Sequence, residues 1–258
     1  MSYIVVEKKD NIARITLNRP DKFNSFCRAM ALDLQKAIDE AASDKTIRCI
    51  YLTGNGKAFC AGQDLAEAIE DNGISLAQIV AEHYNPIIER IREVNLPVIC
   101  AVNGVAAGAG ANIAICGDIV VAKESASFIQ AFSKIGLVPD SGGTFFLPRL
   151  IGFQKASALM MLGDKISALE AVQLGMIYKS FPDDLFEDES WKLAQTIASM
   201  PTKGLVLTKK LLNASYANNL HDQLAFEGKL QVQASESYDY NEGVTAFLEK
   251  RKPVFKGE

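Results

Sequence analysis

The sequence predicts an α/β protein whose C-terminal part is helical. Three observations carry that prediction. Two strand-like runs open the chain, strands and helices alternate between residues 45 and 122, and helix-length segments follow one another from residue 152.

The opening runs, residues 3–8 and 12–17, alternate in a strand-like way around Lys9, Asp10 and Asn11. Two such runs about a short polar break predict a β-hairpin. Residues 30–42 carry Met30, Leu32, Leu34, Ala37, Ile38 and Ala41 at helical spacing. Residues 49–53 read as a short strand that ends at Gly54, Asn55 and Gly56. Residues 75–94 read as a second helix, which Pro86 bends or restarts because proline has no N–H to donate. Residues 97–102 form an apolar strand of the kind buried on both faces. A Gly- and Ala-rich stretch from Asn103 to Asn112 then leads into a short helix ending near Cys116, and residues 118–122 form another apolar strand. The order strand, helix, strand, helix, strand indicates right-handed β-α-β units.

From residue 152 the segments 153–162, 167–174, 185–199, 202–217, 220–236 and 240–250 read as helices, punctuated by Gly163, Gly175 and Pro201. A β/α core is therefore expected over roughly the first 150 residues. Leu220, Leu224, Phe226, Leu230 and Val232 lie on long helices with little sheet to cover. They pack either on their own domain or on another subunit.

Composition narrows the function classes. A chain of 258 residues can bury one large core, and 48% hydrophobic with 22% charged residues exclude a disordered protein. The net charge of −4, with no long run of one sign, argues against a nucleic-acid binder. No apolar run is long enough to cross a bilayer and the first residues carry no signal core, so a cytoplasmic protein with no membrane partner is expected. Cys27, Cys49, Cys60, Cys100 and Cys116 are scattered without a C-x-x-C pair, which predicts free, mostly buried thiols. His83 and His221 are isolated, without metal-ligand spacing, and are expected on a helix surface or an interface. No metal is expected.

Three loops can carry chemistry. The segment from Lys57 to Leu65 and the segment from Ala106 to Gly110 each join a strand to a helix through small residues. Main-chain N–H groups in two such turns can converge on one oxygen and stabilise it as an oxyanion or enolate. The same small residues can instead serve only tight turns and close packing. Neither loop fits the dinucleotide or P-loop pattern. The third loop is Gly136-Leu-Val-Pro-Asp140-Ser-Gly-Gly143, one carboxylate between a proline and a glycine pair in an apolar setting. A dry pocket would raise the pKa of Asp140 and make it a usable proton shuttle. Alternatively, Asp140 caps the following helix.

The order and wording of several motifs resemble the crotonase, or enoyl-CoA hydratase/isomerase, superfamily. They are residues 17–24 (LNRPDKFN), 58–65 (AFCAGQDL), 97–104 (PVICAVNG), 136–144 (GLVPDSGGT) and 242–251 (EGVTAFLEKR). Within that superfamily, residues 104–111 with 132–140 are most similar to the isomerases of 1,2-epoxyphenylacetyl-CoA in phenylacetate degradation. The resemblance implies an α/β spiral of β-β-α units, with a CoA-thioester-binding core over residues 1–198 and a helical trimerisation region over 199–258. It implies a homotrimer or a dimer of trimers. It places the oxyanion-hole amides on Gln63 and Ala109. It puts the CoA near Lys22, Phe23, Ala61, Asp64 and Leu65, with Phe247 and Lys250 reaching a CoA that can belong to a neighbouring subunit. No cofactor is implied, since coenzyme A is part of the substrate.

The departures from the family pattern set the expected subclass. Hydratases of the family use two glutamates around one water, and the matching positions here are Asn112 and Phe132. Asparagine takes no proton at neutral pH and phenylalanine cannot hold a water. Asp140 falls where certain isomerases and an aryl-CoA dehalogenase of the superfamily place a working aspartate. The expected function is thus an acyl-CoA isomerase with Asp140 as acid/base, acting on 1,2-epoxyphenylacetyl-CoA or a Δ3-enoyl-CoA. Asn112 and Phe132 are then expected to face the acyl group, and Phe128 and Phe132 either line an apolar pocket or belong to the core. Two alternatives remain: a hydratase working by an altered route, and a non-catalytic acyl-CoA-binding partner in a pathway.

Overall fold

A computed structural model describes residues 2–68 and 74–258. Strands β1 (Ile4–Lys9) and β2 (Ile12–Leu17) form the expected antiparallel hairpin. Its two-residue turn has Asp10 and Asn11 at φ 55° and 60°. Two left-handed residues give the turn whose twist suits paired strands, and Asp and Asn tolerate that conformation.

From β2 the chain winds into two sheets. The first has the order β1, β2, β3 (Cys49–Gly54), β5 (Val98–Val102), β7 (Ile119–Lys123) and β10 (Lys179–Phe181). All its pairs after the hairpin are parallel. The second contains β4 (Ala58–Cys60), β6 (Val105–Ala107), β8 (Ser127–Ile129) and β9 (Lys165–Ser167). From β3 to β8 the chain visits one strand of each sheet before each crossover, and the turns stack as a spiral of β-β-α units. The sequence reading found β1, β2, β3, β5 and β7 of the first sheet and missed β10 and all four strands of the second. Three residues are too few to show a period of two.

The helices are α1 (Arg28–Ser43), α2 (Leu65–Ala68), α3 (Leu76–Gln78), α4 (Asn85–Glu93), α5 (Ala109–Ile115) and α6 (Gly143–Ile151). They continue with α7 (Phe153–Leu162), α8 (Ala168–Gln173), α9 (Phe186–Ser199), α10 (Thr202–Ser215), α11 (Leu220–Ser235) and α12 (Tyr238–Leu248). The segment expected as one helix over 75–94 is interrupted by a π-helical turn, Ile79–Tyr84, closed by the Asn85 N–H on the Val80 carbonyl. Pro86 sits at the start of α4, where its missing N–H removes little.

The expected end of the β/α core near residue 150 is corrected. Strand β10 pairs parallel with β7, and β9 pairs with β8, so both sheets are completed by residues beyond 160. These strands are also three residues long and lie between helices.

Both faces of the first sheet are covered, as fully apolar parallel strands require. One face places Ile15, Ile50, Leu52, Val98 and Cys100 in a core with α1, α4 and α5. The other places Ile12, Cys49, Tyr51, Ile99 and Val121 against Phe186, Ala194 and Ile197 of α9. A buried ion cluster ties α10 to this body. Lys209 Nζ meets Asp118 Oδ2 at 2.8 Å and donates to the carbonyls of Ile91 and Leu96 at 2.7 and 3.1 Å. Arg92 meets the other Asp118 oxygen at 3.1 Å.

Helices α11 and α12 leave Leu220, Leu224, Val232, Phe247 and Leu248 exposed, whereas Leu230 is buried. Four of the five cysteines are buried, Cys27 is half-buried, and all are free. Among the described residues no helix is long and apolar enough to cross a membrane, and no group of three or more His, Cys, Asp or Glu could hold a metal ion.

Candidate active site

The three loops singled out in the sequence come together around the start of α5. The first follows β4. The Phe26 N–H donates to the Gly62 carbonyl at 2.7 Å, and Asp64 N–H donates to the Phe26 carbonyl at 2.9 Å. This one-residue parallel bridge between Phe26 and Gln63 uses the groups flanking Gln63 and turns the Gln63 N–H away from Phe26. Gly62 has φ 93°, and a methyl there would lie 3.0 Å from the Ala107 carbonyl oxygen. The same methyl would stand 3.6 Å from the Ala109 nitrogen, so the two loops touch at this point.

The second loop joins β6 to α5. Ala109 is the first residue of α5, and first-turn N–H groups have no acceptor inside a helix. Among the described residues neither the Gln63 nor the Ala109 N–H finds a protein acceptor. Both donors expected for an oxyanion hole are thus uncommitted.

The third loop presents Asp140. Its main-chain carbonyl accepts from Asn112 Nδ2 at 2.8 Å and from the Gly143 N–H at 2.9 Å. Among the described residues, its carboxylate accepts a side-chain hydrogen bond from Ser141 Oγ alone, at 2.8 Å. Burial pushes the carboxyl up from its ordinary value, and the Ser141 hydrogen bond works against that shift. The capping alternative is not what the side chain does: α6 starts at a Gly142 cap with no side-chain bond.

Asn112 is fully buried. Its Oδ1 accepts from Gln130 Nε2 at 2.8 Å, so the side chain is held at both ends by protein. Its position is that of a brace behind Asp140. Phe132 is buried with its ring tip 3.9 Å from where a Gly108 Cβ would be, against the second loop. Phe128 belongs to the core.

Lys22, Phe23, Ala61, Asp64 and Leu65 fall on one rim. The Ala61 N–H donates to the Phe23 carbonyl at 3.0 Å, and Phe23 and Leu65 are exposed. Arg19 meets Asp64 at 2.7 Å. Burial opposes ionised Asp64, yet the Arg19 hydrogen bond and charge hold its carboxyl below the ordinary value. Phe247 and Lys250 do not join this rim within one chain. The groove that contains Phe247 is lined by Pro201, Tyr240, Val244 and Phe255.

Two groups near the site were not anticipated. Tyr84 is buried and donates its hydroxyl to Gln63 Oε1 at 2.7 Å. Nothing in the sequence separates it from the core tyrosine Tyr51. His83, expected on a helix surface or an interface, is wholly buried beside Arg28, and among the described residues its Nδ1 has no protein partner. Both His83 and Tyr84 lie at the end of the π turn and point inward. Burial first, and the Arg28 charge next, push the His83 pKa down.

Comparison with known proteins places this geometry. The family model described as "Enoyl-CoA hydratase/isomerase" matches residues 7–258. The chain is 45% identical to the 1,2-epoxyphenylacetyl-CoA isomerase of Escherichia coli (strain K12), over 100% of both chains. It is 43% identical to a Rhodobacter capsulatus protein named "Probable enoyl-CoA hydratase", again over 100% of both. Its fold is similar to the crystal structure of enoyl-CoA hydratase from Bacillus anthracis, with a TM-score of 0.92 at 34% identity, covering 99% of this chain and 100% of that one.

Proposed function

The chain belongs to the enoyl-CoA hydratase/isomerase family, and on that premise we propose that it is an acyl-CoA isomerase. This reading is supported by the pairing of one half-buried, up-shifted carboxyl, Asp140, with Asn112 and Phe132, the residues that the family resemblance matches to the hydratases' two acids.

The thioester oxygen is held by the Gln63 and Ala109 N–H groups. With a Δ3-enoyl thioester, the Asp140 carboxylate takes a proton from C2, and the electron pair moves toward the thioester oxygen as a dienolate. Asp140 then returns the proton at C4, and the double bond ends between C2 and C3. General-base work of this kind is worth about 10²–10⁴-fold, and each oxyanion donor about 2.7–4 kcal/mol. The 45% relative supports 1,2-epoxyphenylacetyl-CoA as the alternative substrate of the same site.

In this reading the CoA lies along Lys22, Phe23, Ala61, Asp64 and Leu65. Residues 1–198 form the thioester-binding core and 199–258 an oligomerisation region. The exposed Leu220, Leu224, Phe247 and Leu248 support a trimer or a dimer of trimers, in which Phe247 and Lys250 reach a neighbour's CoA. The 43% relative favours a second reading, hydration by an altered route.

Incubation with a panel of acyl-CoAs in deuterated water, followed by mass spectrometry and NMR, separates the readings. A moved double bond or opened ring supports the isomerase. Addition of the mass of water at a rate near that of efficient enzymes sinks it. Silence across the whole panel leaves an acyl-CoA-binding pathway partner.

A further inference from the structure

We infer that Tyr84 is a positioning residue, whose hydroxyl clamps the Gln63 side chain and thereby aims the Gln63 main-chain N–H at the thioester oxygen. This rests on the oxyanion-hole reading above.

The Gln63 amide is gripped from two sides. Tyr84 donates to Oε1 at 2.7 Å, and Nε2 donates to Glu67 Oε2 at 3.2 Å. Glu67 is itself fixed, because both its oxygens accept from the Arg28 N–H, at 3.0 and 3.1 Å. The clamp matters because of what precedes it. Gly62, without a side chain, lets the peptide between 62 and 63 rock about its one bond to Phe26. The Gln63 side chain is the lever that stops the rocking, and it moves only if Tyr84 or Glu67 lets go.

Tyr84 is suited to the task. Its ring lies edge-on to Phe26, at 6.0 Å between centroids and 81° between planes. Phe26 is also the residue whose N–H holds the Gly62 carbonyl. One aromatic pair therefore supports the main chain and the side chain of the donor. The phenol stays a donor: burial first, then the Cys60, Asp140 and Glu67 groups, hold its pKa well above the ordinary value. It lies close enough to Asp140 to feel its charge, and it keeps its proton. Tyr51, equally buried, spends its hydroxyl on Ser190 at 2.8 Å, on the far face of the sheet.

The test uses Tyr84→Phe, which keeps the ring and removes the hydroxyl. On the acyl-CoA that the wild type isomerises, kcat is expected to fall about tenfold with KM within about twofold. Infrared difference spectra of bound acetyl-CoA, labelled with 13C at the carbonyl, read the hole without turnover. This probe carries the thioester and CoA common to every candidate substrate. The wild type is expected to lower the carbonyl band, and Tyr84→Phe to lower it less. Gln63→Leu, which keeps the main-chain N–H, is expected to match Tyr84→Phe, and the double variant to be no worse than either. An unchanged band in Tyr84→Phe, or additive losses in the double variant, overturns this inference alone. No band shift in the wild type overturns the oxyanion reading and this inference together.

Discussion

Asn112 donates its side-chain N–H to the main-chain carbonyl of Asp140 at 2.8 Å. The residue that the family resemblance matches to a hydratase glutamate therefore holds the backbone of the residue proposed to do the proton transfer. Its other end is held by Gln130, so the acid stands on a buried chain of amides running back to the residue that follows β8.

Replacing Asp140 by Asn should abolish isomerisation while acyl-CoA binding survives. In the wild type, kcat/KM should fall on the acid side, with an inflection above 3.8, the ordinary value for Asp. Stability should move the other way. A carboxyl whose folded pKa is raised costs the folded state nothing below its unfolded value, and the cost is complete above its folded value. Asp140→Asn should thus melt above the wild type at pH 7, with the gap closing as the pH falls toward 3.8. Full activity in the variant refutes the role of the acid.

Ala109→Pro tests the second donor. Proline is accommodated at the first position of a helix, but it has no N–H and its ring would occupy the oxyanion position. A loss of at least about 10²-fold in kcat/KM is expected. Circular dichroism should show a retained fold.

Asn112→Glu should not create a hydratase. A Cβ on Gly143 would lie 2.3 Å from Asn112 Nδ2, so there is no room for a longer side chain. A carboxylate there would also face the Asp140 carbonyl. A loss of about 1–3 kcal/mol is expected in urea denaturation. The absorbance of crotonyl-CoA should stay constant with this variant.

Lys209→Met addresses the ion cluster away from the chemistry. The side chain is 5% exposed, and its removal leaves the Ile91 and Leu96 carbonyls without their partner. Asp118 keeps Arg92. The urea midpoint should drop by the equivalent of about 3 kcal/mol, with kcat unchanged.

Much of this could be read from the chain. The helices α7, α8 and α9 match because Gly163, Gly175 and Pro201 follow their ends, and such residues act locally. Asp140 stood out for a local reason too, a carboxyl in an apolar run. The strands β4, β6 and β8 did not stand out, because three residues carry no period and their partners lie tens of residues away. The link from Tyr84 to Gln63 spans 21 residues and one hydrogen bond. No pattern along the chain encodes it; it follows from how a π turn faces a loop.

That turn has a bearing on how the chain can change. A π turn holds one residue more than the α-helix it interrupts, and each residue rotates a helix by about 100°. Deleting a single residue between Ile79 and Tyr84 would let the segment relax to a regular helix, leaving its hydrophobic character intact. The phenol would swing out of reach of its amide. Length variation at this spot, invisible to any tally of conserved motifs, would therefore separate competent enzymes from well-folded but sluggish ones.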